Sequence, residues 1–366
     1  MQAGHVLESC LAIMCGAASS RLNGTQTFFM KSLNELASAR LPHITHASWS
    51  HDGRMLAATC GEGVWLWRDD FGNDPTCKLL HVAPLKSAVF SADARRLALA
   101  SSDMSVYILE TGLAFHPDVP VHGLISFPPR PVSEGEQFSR GLLRLRGHSS
   151  AVNSVAFSPD ATQIVSGGGD GSLRVHHATT GTLISTFSAH DQDITSVCWQ
   201  RDRLISSGWD GTIRLLSAAG GNIEHTLSHD DWVREMALVE TVISQASPAH
   251  LREEHEAGQP VWLLAAAVKD GSVQVYALLE DGSVLHVLNL SAHDGGADAV
   301  AFSPRGDALA TGGRDGAIRL WSMHDGHLIA EITGHAKPTL ALAFHPRGRM
   351  LISGGGDNAL RLWEIV

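Results

Sequence analysis

Short apolar stretches alternate with polar positions along most of the chain, and each is closed by a glycine, proline or aspartate turn. Alternation at period two over a few residues predicts half-buried β-strands, and the intervening turn residues predict hairpins. Within these stretches no apolar pattern of helical spacing runs for ten or more residues. The expected fold class is all-β.

The pattern has a longer period of about 40 residues. Its clearest copies read GHSSAVNSVAFSPDATQIVSGGGDGSLRVHH from Gly147, HDGGADAVAFSPRGDALATGGRDGAIRLWSM from His293 and HAKPTLALAFHPRGRMLISGGGDNALRLWEI from His335. A fourth starts at His190. Weaker copies start at His43, His81 and His229, the last being interrupted and resuming at Val261. The total is seven units.

The ordered elements of the unit are a GH-like start, an AFSP turn, an S/T-G-G-x-D-G turn and a terminal R-L-W. In this it resembles the WD40 repeat, whose family fold is a ring of four-stranded blades. The resemblance covers roughly 300 of the 366 residues and implies a seven-bladed β-propeller over 43–366, preceded by an arm at 1–42. The last unit stops after its third strand, so a segment at Thr27–Leu36 is expected to supply the fourth and close the ring. The spacing of Phe29, Leu33 and Leu36 also permits a helix over 30–38. Two stretches exceed the period, at 112–140 between the third and fourth strands of blade two and at 241–260 between the first and second of blade five. The first carries FPPRP at 127–131, which favours extended geometry. In the second, HLREEHEA permits a short helical turn.

Composition narrows the function classes. With 44% hydrophobic residues and 36 glycines, the chain has material for a large core and many turns. Its formal net charge of −11, from 27 basic and 38 acidic residues, disfavours the broad positive field that nucleic acid attracts. The five cysteines, at 10, 15, 60, 77 and 198, are odd in number and lack C-x-x-C pairs. They make no disulfide framework, which points to a reducing compartment, the cytoplasm before the nucleus. No apolar run has the length of a membrane helix.

Candidate chemistry is mostly explained by the repeat. His148, Ser166 and Asp170 invite a triad reading, yet the set recurs as His293, Thr311, Asp315 and as His335, Ser353, Asp357, with the same offsets of 18 and 22 residues. Trp321 and Trp363 follow the last two sets, and His190, Ser206 and Asp210 form a related one. The resemblance implies a structural hydrogen-bond network, and repetition around a ring argues against one catalytic centre. Other blades are degenerate: His176 and Leu216 stand at the tryptophan position of blades three and four, and Ala266 at the hydroxyl position of blade five, beside Asp270 and Tyr276. Blade two keeps His81 and Asp103 but has Leu99 and Leu109. Blade one has Glu62 for the aspartate and leans on Trp49, Trp65 and Trp67. The 21 histidines show no convergent metal set, His250 and His255 being poorly spaced for one helix face. The glycine-rich turns are followed by no Gly-Lys-Ser/Thr, so no cofactor is expected.

The family reads its ligands on the loops around the narrow face of the ring. The corresponding positions are the third and fifth residues after each blade-start histidine and the residue before the network aspartate. On blades four to six they hold Asp193, Thr195, Trp209, Trp232, Arg234, Lys269, Asp298 and Arg314. Exposed tryptophans beside arginine have the composition of a binding hot spot, set against packing between blades. Thr45, Lys86 and Asn153 make blades one to three the poorer candidate. The expected function is a non-enzymatic scaffold or adaptor that binds proteins or peptides. The alternatives are an enzyme with a central-channel site and an RNA- or DNA-binding subunit.

Overall fold

In a computed structural model, residues 33–69, 71, 75–81, 83–114, 137–138, 142–244, 247, 251 and 256–366 are described. They form seven antiparallel sheets arranged as the blades of a β-propeller. Six blades take four or five strands that are close together in sequence. The seventh takes its first three strands from Thr339–Phe344, Met350–Gly355 and Ala359–Ile365, and its fourth from Leu33–Arg40.

That fourth strand closes the ring. It pairs with Ala359–Ile365 from Leu33↔Ile365 to Arg40↔Ala359, with an irregularity between Glu35 and Ala37. Closure thus occurs with the strand starting at Leu33, later than the expected Thr27–Leu36, and the helical alternative does not form over the described residues. Residues 27–32 lie outside the described residues. Only Leu33 of this strand is buried, so its sequence carries little of the alternation by which a strand is recognised.

Burial explains the strand patterns. The second strand of each blade is covered on both faces by its neighbours, and Ala308–Gly313 (ALATGG) is buried at all six positions. Outermost strands such as Leu183–Ser188 and Ile223–Ser228 keep an exposed face. The core therefore lies in layers between adjacent blades. Ile318 and Leu320 of blade six pack with Phe344, Leu351 and Trp363 of blade seven. The turn between first and second strands has its own chemistry: Ser158 Oγ donates to Asp160 at 2.6 Å and accepts the Gln163 N–H at 3.0 Å. Ser50 and Ser91 do the same with Asp52 and Asp93, at 2.6 Å each, so the recurring Ser-x-Asp is a hydrogen-bonded turn.

The first insertion begins with a helical turn, Thr111–Ala114, and ends with Gln137–Phe138, which pairs with Leu142–Leu145 as a fifth strand of blade two. FPPRP lies outside the described residues. The second insertion joins Val233–Val242 to Pro260–Val268 and anchors on Leu251, which is fully buried against Ile243 and Val261.

Candidate functional site: the rim of blades four to six

The repeated polar set is assembled inside four blades. His148 Nδ1 meets Asp170 at 3.0 Å and its Nε2 meets Ser166 at 2.8 Å. The same pairs are 3.0 and 2.9 Å for His190 with Asp210 and Ser206, and 3.0 and 2.9 Å for His293 with Asp315 and Thr311. For His335 with Asp357 and Ser353 they are 2.9 and 2.8 Å. Trp321 donates its indole N–H to Thr311 at 2.9 Å and Trp363 to Ser353 at 2.8 Å. This order requires Nδ1–H to donate to the carboxylate and Nε2 to accept from the hydroxyl. Burial lowers the pKa of all four histidines, and the partner aspartates offset part of that effect. Burial acts to raise Asp357, but hydrogen bonds from His335 and Arg361 outweigh it and hold the carboxyl low.

The degenerate blades use other partners. In blade two Asp103 accepts from Tyr107 at 2.6 Å and from Arg144 at 2.9 Å, while His81 Nδ1 turns to the Ala83 carbonyl at 2.7 Å. In blade five, His229 Nε2 meets the Tyr276 hydroxyl at 3.0 Å. Blade one buries Trp67 almost completely and sets Trp49 edge-on to Phe71 and His345.

A second regularity builds the rim. In blades three to seven the residue before the network aspartate, or its blade-five equivalent, donates its backbone N–H to the loop entering the same blade. The pairs are Gly169 to Ala151, Trp209 to Asp193, Lys269 to Trp232, Arg314 to Gly296 and Gly356 to Pro338, at 2.8–3.0 Å. Three of these loop residues, Asp193, Trp232 and Gly296, also reach the turn of the preceding blade. Trp232 stacks on Trp209 with centroids 4.9 Å apart and planes 18° from parallel. A Cβ on Gly169 would stand 2.7 Å from Ser150 Oγ and 2.8 Å from Asp193 Oδ2, so both side chains lie close over the Gly169 backbone. Around the rim the order is Gly169, Asp193, Trp209, Trp232, Lys269, Gly296, Arg314. Trp209 and Trp232 are 39% and 37% exposed, so they stack on one another yet remain open to solvent. Lys269 Nζ stands 3.9 Å from the Trp232 centroid and 3.4 Å from Asp231.

Thr195, Arg234 and Asp298 depart from the rim expectation. They line the central channel, a cavity of about 680 Å³ walled by the first strands of the blades, together with Thr45, Lys86 and Asn153. Thr195 donates to the Val233 carbonyl at 2.8 Å. Arg234 pairs with Asp298, which Arg314 approaches at 3.5 Å. The fifth position after the histidine already lies within the first strand, on the wall of the channel. Two neighbours escaped sequence reasoning. Asp231 is signalled only by its place beside Trp232. Glu235, which no motif marks, takes the Val300 N–H at 3.1 Å, and burial pushes its carboxyl up to about 8. Among the described residues no group of three or more His, Cys, Asp or Glu is placed to hold a metal ion. His250 and His255 lie outside the described residues.

Comparison with known proteins accords with this geometry. The model of the WD domain, G-beta repeat, matches residues 140–177, 181–217, 282–322 and 326–364. The Periodic tryptophan protein 2 homolog of Dictyostelium discoideum is 27% identical over 54% of this chain and 20% of its own length. Nuclear distribution protein nudF 1 of Talaromyces marneffei is 33% identical over 53% of this chain and 44% of its own. Subunit I of eukaryotic translation initiation factor 3 from Vanderwaltozyma polyspora is 26% identical over 37% and 48%. The chain thus spans between a fifth and a half of these relatives. With four matched repeats and seven blades in one ring, it belongs to the family of WD40-repeat β-propellers.

Proposed function

We propose that this propeller is a non-enzymatic platform in a multiprotein assembly, and that it binds a protein segment on the rim of blades four to six. WD40 propellers generally bind proteins, and one relative is by name a subunit of a larger factor. The observation that carries the reading is the Trp209–Trp232 stack, left open to solvent at the rim. Stacked indoles offer a large apolar surface at low entropic cost, and charged groups of both signs beside them give a ligand its orientation.

The test is native affinity isolation followed by crosslinking mass spectrometry, comparing the natural chain with Trp209→Ala/Trp232→Ala. The expected result is crosslinks on blades four to six and loss of the partner from a variant that keeps its β-rich circular dichroism. Crosslinks confined to other blades or to the insertions overturn the assignment.

A further inference from the structure

The aromatic stack is closed at one end and open at the other. Trp232 has both faces occupied, because a ring at 4.9 Å and an ammonium at 3.9 Å from its centroid cannot share one face. Trp209 carries Trp232 on one face. Among the described residues no aromatic ring or cation covers the other. The Asp193 carbonyl accepts the Trp209 N–H at 2.9 Å, so the two residues adjoin, and the order around the rim sets Asp193 on the side away from Trp232; its carboxylate and the Ser150 hydroxyl both border the Gly169 turn. Asp193 has neither a hydrogen bond nor an ion pair through its carboxylate among the described residues. Two residues away, Asp191 is exposed to solvent.

An open indole face beside an unpaired carboxylate has a definite complement. The ring quadrupole attracts a cation over its face, and the carboxylate accepts hydrogen bonds from the same group. A planar guanidinium meets both demands together, stacking on the indole while its edge donates to the carboxylate. An ammonium meets them less completely. Lys269 over Trp232 already shows this chemistry at the closed end of the stack, with Asp231 in the carboxylate role.

We propose that Trp209 and Asp193 form a seat for an arginine side chain, or less well a lysine, carried by a basic segment of the partner. This rests on the rim of blades four to six being the binding surface and adds the chemical class of what binds there. The geometry implies that the cation enters from the blade-three side, beyond the end of the stack. It also makes Gly169 part of the site, since a side chain there would press on the carboxylate.

The full chain would be immobilised and equilibrated with three oriented nonapeptide libraries, identical except for a central arginine, glutamine or glutamate. Bound peptides would be quantified by mass spectrometry for the natural chain, Asp193→Asn, Trp209→Leu and Gly169→Ala. The expected result is selective retention of the arginine library and weaker retention by Asp193→Asn and Trp209→Leu, about tenfold each. Gly169→Ala should also weaken retention, and added salt should reduce it further. Equal retention of the arginine and glutamine libraries overturns the seat, as does an arginine preference that survives Asp193→Asn. Asp193→Asn is nearly isosteric at a half-buried position, so it decides the matter even if Trp209→Leu folds poorly. Loss of arginine selectivity while crosslinks still map to blades four to six removes only the seat. Crosslinks elsewhere remove the rim reading as well.

Discussion

Trp363 donates its indole N–H to the Ser353 hydroxyl at 2.8 Å, which completes a four-residue chain that begins at Asp357. In blade three the corresponding place is held by His176, whose Nδ1 is buried without a hydrogen-bond partner. Burial also pushes the pKa of this imidazole down to about 4. His176→Trp should restore the missing donor to Ser166 and remove the unsatisfied nitrogen, stabilising the chain by about 1 kcal/mol. Urea denaturation measures this. A loss of stability would show that blade three is too tightly packed for an indole.

The Trp209–Trp232 contact crosses the seam between blades four and five, so it contributes to stability as well as to the surface. A double-mutant cycle with Trp209→Ala and Trp232→Ala should give a coupling of about 1 kcal/mol. Each single variant should stay folded, because both rings are partly exposed. A coupling near zero would mean that the rings do not stack in solution.

Gly316 has φ of +74° and lies directly under the carbonyl of His335. Alanine there would meet left-handed backbone strain and a collision with the main chain of the next blade. Gly316→Ala should therefore destabilise by about 2 kcal/mol or more, seen as a lower thermal midpoint. An unchanged midpoint would mean that the blade six–seven seam can open at little cost.

Acid should weaken the ring before the carboxylates are protonated. Burial holds His148, His190, His293 and His335 below the ordinary histidine pKa of about 6.5. The unfolded chain then binds more protons than the folded one just below that value. Stability is complete above pH 7 and falls as pH drops through about 6.5 toward the native pKa values. Thermal midpoints between pH 7 and 5 should show the decline, and a flat profile would contradict neutral buried imidazoles.

Glu235 acts with the opposite sign. Its folded carboxyl keeps its proton up to about 8, against 4.5 when unfolded, so the folded state binds more protons between those values. Stability from this group falls as pH rises across that window. Glu235→Gln should raise the thermal midpoint at pH 8 relative to the natural chain and leave it little changed at pH 4. Equal shifts at both pH values would place the effect in packing instead of in the proton.

The repeat made most of the fold legible. Ser-x-Asp turns, buried second strands and the four His–Asp–hydroxyl sets all have local sequence causes that recur at fixed offsets. The closing strand was harder to place, because Glu35 to Arg40 present mainly exposed or half-exposed residues and the denser apolar cluster lies upstream. At the rim, offsets singled out Trp209 and Trp232, but their stacking depends on the rotation between neighbouring blades, which no single repeat encodes. The same limit hid the Arg234–Asp298 pair, whose members are 64 residues apart. Glu235 was invisible for another reason: its environment is made by several strands around the channel, and its own neighbours in sequence reveal nothing of it.

The matched repeats are out of step with the blades. Residues 181–217, for example, take in Leu183–Ser188, the outer strand of blade three, and the three inner strands of blade four. Each repeat thereby ties two blades together, and the debt passes along the chain until Leu33–Arg40 settles it against Ala359–Ile365. In time, this sets the two partners at opposite ends of the ring's synthesis. A ribosome delivers the Leu33–Arg40 strand before any blade exists and its partner only after the other six are made. At about 5–20 residues per second, that is roughly 15–65 seconds of waiting. Throughout that interval the ring has an open seam, and the strand that will seal it must be kept from pairing with anything else.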